Sequence, residues 1–150
     1  MLIYSAGDTA AALISGSFSL TRLAGMMLIG ATVYALEIPN YFAWIDRKVT
    51  TKKPLKRAAH RTALAMAYFN PLWIARHLLF IKLASLDLDA VGVDLLILGT
   101  KSFAFNIPIS ALANYIIQVR LPLRWRFVGS ATFSALMAVY YALAGFFFGG

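Results

Sequence analysis

Four long apolar runs, about Leu23 to Trp44, Thr62 to Ile81, Val91 to Val119 and Phe127 to Phe148, fill most of the 150 residues. Each matches or exceeds the about 20 residues that a helix needs to cross the hydrocarbon of a bilayer. In lipid every backbone amide must be satisfied within its own segment or in a closed barrel, and the runs lack the alternation of barrel strands, so they read as helices. Hydrophobic residues make up 61% of the chain and charged residues 13%, with a mean hydropathy of +0.73, far above the usual apolar share of a soluble domain. The expected fold is an all-α integral membrane protein, a single transmembrane domain over residues 1–150. Its four transmembrane helices carry proline kinks and lie at about 22–45, 61–83, 91–119 and 127–149. A short N-terminal helix over 2–17 precedes them, too polar for a full span with Gly7, Asp8, Thr9, Ser15, Gly16 and Ser17. It lacks the basic start of a secretory signal and the arginines of a transit peptide. Little chain remains for an appended soluble enzyme, and the absence of cysteine removes disulfides, thiolate metal sites and thiol nucleophiles.

A net charge of +8 raises nucleic acid as a partner, but the charges are arranged for a membrane. Seven of the fourteen basic residues (Arg47, Lys48, Lys52, Lys53, Lys56, Arg57 and Arg61) sit between the first and second runs, and Arg120, Arg124 and Arg126 sit between the third and fourth. The segment from Ala84 to Leu98 carries Asp87, Asp89 and Asp94 with no Lys or Arg. Basic loops stay on the cytoplasmic side, so both basic loops face in, the acidic loop faces out and Gly150 ends outside. The basic loop 47–61 is also suited to anionic lipid headgroups, and no nucleic acid is expected. Trp44, Trp125 and Phe127 flank the basic loops as interfacial anchors. In the last run Ala131 and Ala135, with Ser134 and Ala138, form a small-residue face for close helix packing.

Polar residues inside the apolar runs are the functional candidates. Three runs have a proline just after a polar side chain: Glu37 before Pro39, Asn70 before Pro71, Asn106 before Pro108. Each proline frees the carbonyl four residues back, those of Ala35, Ala67 and Ala104, and should kink its helix. Freed groups at similar depth need helix packing or a partly hydrated cavity to satisfy them. Glu37 lies nine residues before Asp46, about 14 Å along a helix and hence mid-membrane, where a charge costs roughly 2.5–3.5 kcal/mol on insertion scales. Arg76 and Lys101 fall in the outer half. They are read either as interfacial anchors whose long stems snorkel outward or as the mouth of a cavity and partners of Glu37. The candidate pore or substrate-binding set is Glu37, Asn40, Asn70, Arg76, Lys101, Asn106 and Asn114, with kinks at Pro39, Pro71 and Pro108. His77 is either a proton carrier or a packed histidine. No metal or cofactor is expected. A short echo between Glu37-Ile38-Pro39 and Asn106-Ile107-Pro108, and between Met66-Ala67-Tyr68 and Met137-Ala138-Val139-Tyr140, is what a parallel duplication would leave.

Taken in order, several of these marks resemble the Mpv/Pmp family of small mitochondrial inner-membrane and peroxisomal membrane proteins. The marks are Gly7-Asp8; then Arg22, Gly30, Tyr41-Phe42 and Asp46-Arg47; then Arg61 and Pro71; and finally Pro108, Asn114-Tyr115, Pro122-Leu123 and Arg126. The resemblance covers nearly the whole chain. Where the family has Asp-Gln, Gln and Trp-Asn, this chain has Ala65-Met66, Ala111 and Met137-Ala138, so the family's polar lining is thinned. The resemblance implies a channel or carrier for small metabolites. A looser similarity to the small bacterial L-alanine exporters rests on size and on a basic loop after a proline-containing span.

The expected function is therefore a non-enzymatic membrane channel or transporter for small polar or ionic solutes, with a polar cavity near the bilayer midplane. The competing readings are a structural or accessory subunit of a larger membrane complex, or a small amino-acid exporter. Four helices enclose little volume, so a homo-oligomer or larger assembly is an expected partner. A bacterial cytoplasmic membrane is the expected location, with an organelle membrane as the alternative.

Overall fold

The structure, a computed structural model, describes residues 2–148, except for the side chains at 90, 141, 142 and 144–148. Gly149, at the far end of the predicted fourth span, and Gly150 lie outside the described residues. Those residues form six helices and no strand: α1 (Leu2–Ile14), α2 (Leu20–Lys48), α3 (Pro54–Tyr68), α4 (Pro71–Ala84), α5 (Asp94–Arg120) and α6 (Leu123–Phe148). The all-helical expectation holds. Two helices, α2 and α5, are long and apolar enough to cross a membrane, and α3 with α4 supplies a third if the bent pair is one span. The fourth predicted run lies on α6, a helix of 26 residues that does not meet the same criteria over its described residues.

Local chemistry sets the boundaries. The N-terminal helix stops at Ile14 rather than reaching 17, because Gly16 adopts a left-handed φ of +67°. There the Ser17 amide donates to the Ala12 carbonyl and the Gly16 amide to that of Leu13, closing the helix end in a Schellman arrangement. Ser19 then caps α2 by accepting from the Arg22 amide at 3.1 Å.

The three prolines behave differently from one another. Only Pro71 breaks a helix: α3 and α4 meet at 42°, with Asn70 as the cap of α4 and Pro71 in its first turn, where a missing amide is harmless. The carbonyl of Ala67, expected to be orphaned, accepts from the Asn70 side chain at 3.0 Å. Pro39 and Pro108 lie inside continuous helices, which they do not interrupt. Instead α2 contains a five-residue π segment, Gly30–Tyr34, just ahead of the Ala35 carbonyl that Pro39 frees, and α5 ends in a second, Ile116–Arg120.

Helix α2 is the axis of the bundle. Its residues Met26, Gly30, Tyr34, Ile38, Phe42 and Ile45 are buried, with Val49 continuing the line just past its end. A regular helix drifts about 40° for each four-residue step, so the wider π turn helps to keep this stripe facing inward. Against it lie Tyr4 of α1, Ala65 of α3, Ile117 of α5 and Ala131 of α6. The small face of α6 accepts α1 so closely that a Cβ on Gly7 would collide with the Ala135 backbone and side chain. A Cβ on Gly25 would meet the Ala84 Cβ at 2.5 Å, which pairs the start of α2 with the end of α4. Phe127 packs on the Tyr4 ring at 6.2 Å and joins the core instead of anchoring an interface, whereas Trp44 and Trp125 are exposed.

Outside this core the surface is oily. Phe105 is 86% exposed, and Leu98, Ile109, Leu112 and Ile116 along the same face of α5 are exposed with it, an apolar surface of the kind that meets lipid or another protein.

Candidate functional site

Three acid–base contacts stand at three levels of α2. Near its start Asp8 of α1, itself buried, takes Arg22 through bonds of 2.9 and 2.6 Å. Near its end one oxygen of Asp46 receives Arg126 of α6 at 2.6 Å and Arg61 of α3 at 2.9 Å, while Arg126 also donates to the Leu121 carbonyl at 3.1 Å. Between them Glu37 meets Arg76 of α4. Both terminal nitrogens of Arg76 lie 3.1 Å from one carboxylate oxygen, and one of them lies 3.0 Å from the other oxygen. With a rise of about 1.5 Å per residue, Glu37 sits about 22 Å from Arg22 and about 14 Å from Asp46 along the helix.

The middle contact differs from the outer two in its surroundings. The Asp8–Arg22 pair is screened by protein, its side chains 7% and 14% exposed, and at the other end Arg126 is 5% exposed although Asp46 keeps 25%. At the middle pair both side chains keep about a third of their surface, 34% for Arg76 and 33% for Glu37. They open onto a cleft of about 210 Å³ lined by Glu37, Tyr68, Asn70, Leu72, Trp73 and Arg76. The bend at Phe69–Asn70 creates this cleft, because it turns α4 away from α3 and leaves Tyr68 on one side with Trp73 and Arg76 on the other. A second, apolar groove between α1 and α2 is lined by residues including Leu2, Ala6, Leu23 and Met27.

An aromatic wall fixes the basic side of the cleft. The Trp73 and His77 rings stack at 5.6 Å and 5°, Tyr34 lies against Trp73 at 5.6 Å, and the Tyr34 hydroxyl and His77 Nδ1 share a 2.7 Å hydrogen bond. His77 is thus packed between helices and held by a tyrosine. Arg76 lies 5.9 Å above the Phe80 ring, a cation–π distance that restrains its stem. The Asn70 side chain is committed at both ends, accepting from the Trp73 amide at 3.0 Å and donating to the Ala67 carbonyl. Two donors of the lining, Arg76 Nε and Trp73 Nε1, have no hydrogen-bond partner within the protein, and the Tyr68 hydroxyl abuts the ion pair without a well-aligned bond to it.

Of the sequence candidates, Glu37, Asn70 and Arg76 come together here, and Arg76 takes the role of partner to Glu37. The others do not line the cleft. Asn40 is exposed and donates to the Leu36 carbonyl, four residues back in its own helix. Asn106 does the same to Ser102. Asn114 is buried, donates to Ser110 and reaches Met66 Sδ at 3.6 Å, tying α5 to α3. Lys101 is exposed on α5. The reading of isolated residues missed Tyr68 and Trp73; the signal available was the three-residue spacing of Trp73 and Arg76, which shares a helix face. It also treated Arg61 and Arg126 as topology markers, although the structure ties both to Asp46. No group of three or more His, Cys, Asp or Glu side chains that could hold a metal gathers among the described residues.

Comparison with family models, with curated proteins and with solved structures gives no match for this chain.

Proposed function

We propose that the chain is an integral membrane protein of four spans that provides a path for small polar or ionic solutes, with the Glu37–Arg76 cleft as the polar element of that path. The observation that carries this reading is the incomplete burial of the pair. A carboxylate near the middle of the longest apolar helix, with a guanidinium facing it from α4, would be expensive to leave against acyl chains. An internal strut such as Asp8–Arg22 is instead screened by protein, its side chains 7% and 14% exposed, whereas Glu37 and Arg76 border a cleft large enough for water or a small solute. The cleft opens on the flank of a single chain, so a homo-oligomer would enclose it. The positions of the basic loops favour a bacterial cytoplasmic membrane with those loops inside and in contact with anionic headgroups. The motif resemblance to the Mpv/Pmp family points to transport as well, and none of these features calls for catalysis.

Flux into liposomes containing the purified protein tests the proposal. Wild type should release a trapped small solute or ion, and Glu37→Ala and Arg76→Ala should change that rate by tenfold or more. A wild-type protein that moves nothing, while co-purifying with a stoichiometric partner, would overturn it. That result would favour the second reading, an accessory subunit, for which the specific observation is that the cleft lies on the flank, where a partner's helix could cover it.

A further inference from the structure

We infer that the cleft selects a small zwitterion, a solute carrying one carboxylate and one ammonium a few bonds apart. This rests on the proposed solute path and names the chemical class it would take. The ion pair itself sets the charge rule. Glu37 and Arg76 together are neutral, so a simple anion approaching Arg76 meets the Glu37 carboxylate and a simple cation approaching Glu37 meets the guanidinium. A zwitterion can exchange with the pair without leaving net charge: its carboxylate replaces Glu37 on Arg76 while its ammonium replaces Arg76 on Glu37.

The remaining donors fit the same solute. Arg76 Nε and Trp73 Nε1 are buried N–H groups with no acceptor in the protein, and a buried donor left unmade is destabilising. Both belong to side chains lining one cleft, and a carboxylate has lone pairs for two or more donors. Asn70 is already satisfied by Ala67 and Trp73, so these covered donors find no acceptor in the lining, and a carboxylate that displaced Glu37 from Arg76 would bring one within reach. On the other charge, Tyr68 abuts Glu37 and the Trp73 ring lines the same cleft, and aromatic faces attract ammonium groups. Size agrees, since about 210 Å³ is below the roughly 300–1,000 Å³ of pockets for drug-sized ligands. Leu72 supplies the one aliphatic contact, room for a small apolar substituent.

Trp73 provides the readout. The chain has 3 tryptophans, and Trp44→Phe with Trp125→Phe, both at exposed positions, leaves Trp73 as the sole emitter. Full-length protein in lipid nanodiscs is titrated at constant ionic strength with glycine, 4-aminobutyrate, acetate and methylammonium. Glycine should give a saturable change in Trp73 emission at a concentration at least tenfold lower than acetate or methylammonium. Equal response to glycine and acetate, or no saturable response to glycine, overturns the inference. In Glu37→Gln the advantage of glycine over acetate should fall below threefold; an unchanged advantage would also refute it. The wild-type ranking decides the matter even where this variant fails to fold. Liposome flux separates the two claims. Solute movement without glycine binding overturns the zwitterion site and leaves the path, while glycine binding without any flux does the reverse.

Discussion

Replacing Asp46 by Asn should destabilise the protein by about 3 kcal/mol, and the geometry shows why. A single carboxylate oxygen holds Arg126 at 2.6 Å and Arg61 at 2.9 Å, joining α2 to α3 and α6. The two contacts are unequal. Arg126 is 5% exposed and has no second anion near it, only the Leu121 carbonyl and a 3.5 Å approach to Gln118 Oε1. Hydrogen bonds to charged groups contribute about 1.5–3 kcal/mol each, and removing one partner of a buried pair costs about 3–5 kcal/mol because a charge is left uncompensated. The Arg61 contact, 20% exposed, is screened and adds at most about 1 kcal/mol. Asparagine keeps the shape and one acceptor, which brings the expected loss to the lower end of the buried-pair range. Arg61→Gln should therefore lose about 1 kcal/mol. The double variant Asp46→Asn with Arg126→Gln should lose less than the sum of its singles by about 1–2 kcal/mol, because the stranded guanidinium is gone. Unfolding in mixed micelles, driven by a rising fraction of ionic detergent and followed by circular dichroism, measures wild type, the three single variants and the double variant. A loss below about 1 kcal/mol for Asp46→Asn, or additivity in the double variant, would refute the view that a buried charge is what ties this end of the bundle together.

Gly7→Ala should separate α1 from α6 and lose about 1–3 kcal/mol by overpacking, whereas Gly92→Ala, whose Cβ would meet nothing, should leave the same unfolding midpoint unchanged. Asn70→Ala removes the cap of α4 and should lose about 1 kcal/mol, while Asn106→Ala, whose side chain only back-bonds within its own helix, should stay within about 0.5 kcal/mol; equal effects would show that the bend at Pro71 needs no cap. Tyr34→Phe deletes the bond to His77 Nδ1 and should cost about 1 kcal/mol, with a change in Trp73 emission because the stacked His77 ring loses its hold.

Much of the helical architecture was legible along the chain, because backbone satisfaction dictates helices wherever apolar runs are long. Helix content, the approximate positions of the helices, the close-packing face of α6 and the place of Glu37 within an apolar helix all follow from single residues and their neighbours. Which proline would interrupt its helix did not. Pro71 follows Asn70, whose side chain both caps the next helix and satisfies the Ala67 carbonyl, so a break is stable there. Pro39 and Pro108 lack such a device and stay within continuous helices. The partners of the charges were equally hidden, since Arg76 lies 39 residues from Glu37 and Arg126 80 residues from Asp46. The sequence determined that a carboxylate would sit in the middle of an apolar helix. Only the packing of α4 against α2 decided that it would face a guanidinium, because side-chain pairing across helices depends on their relative rotation and depth. The same packing placed that pair beside an open cleft while Asp8 and Arg22 at one end, and Arg126 at the other, were screened by protein.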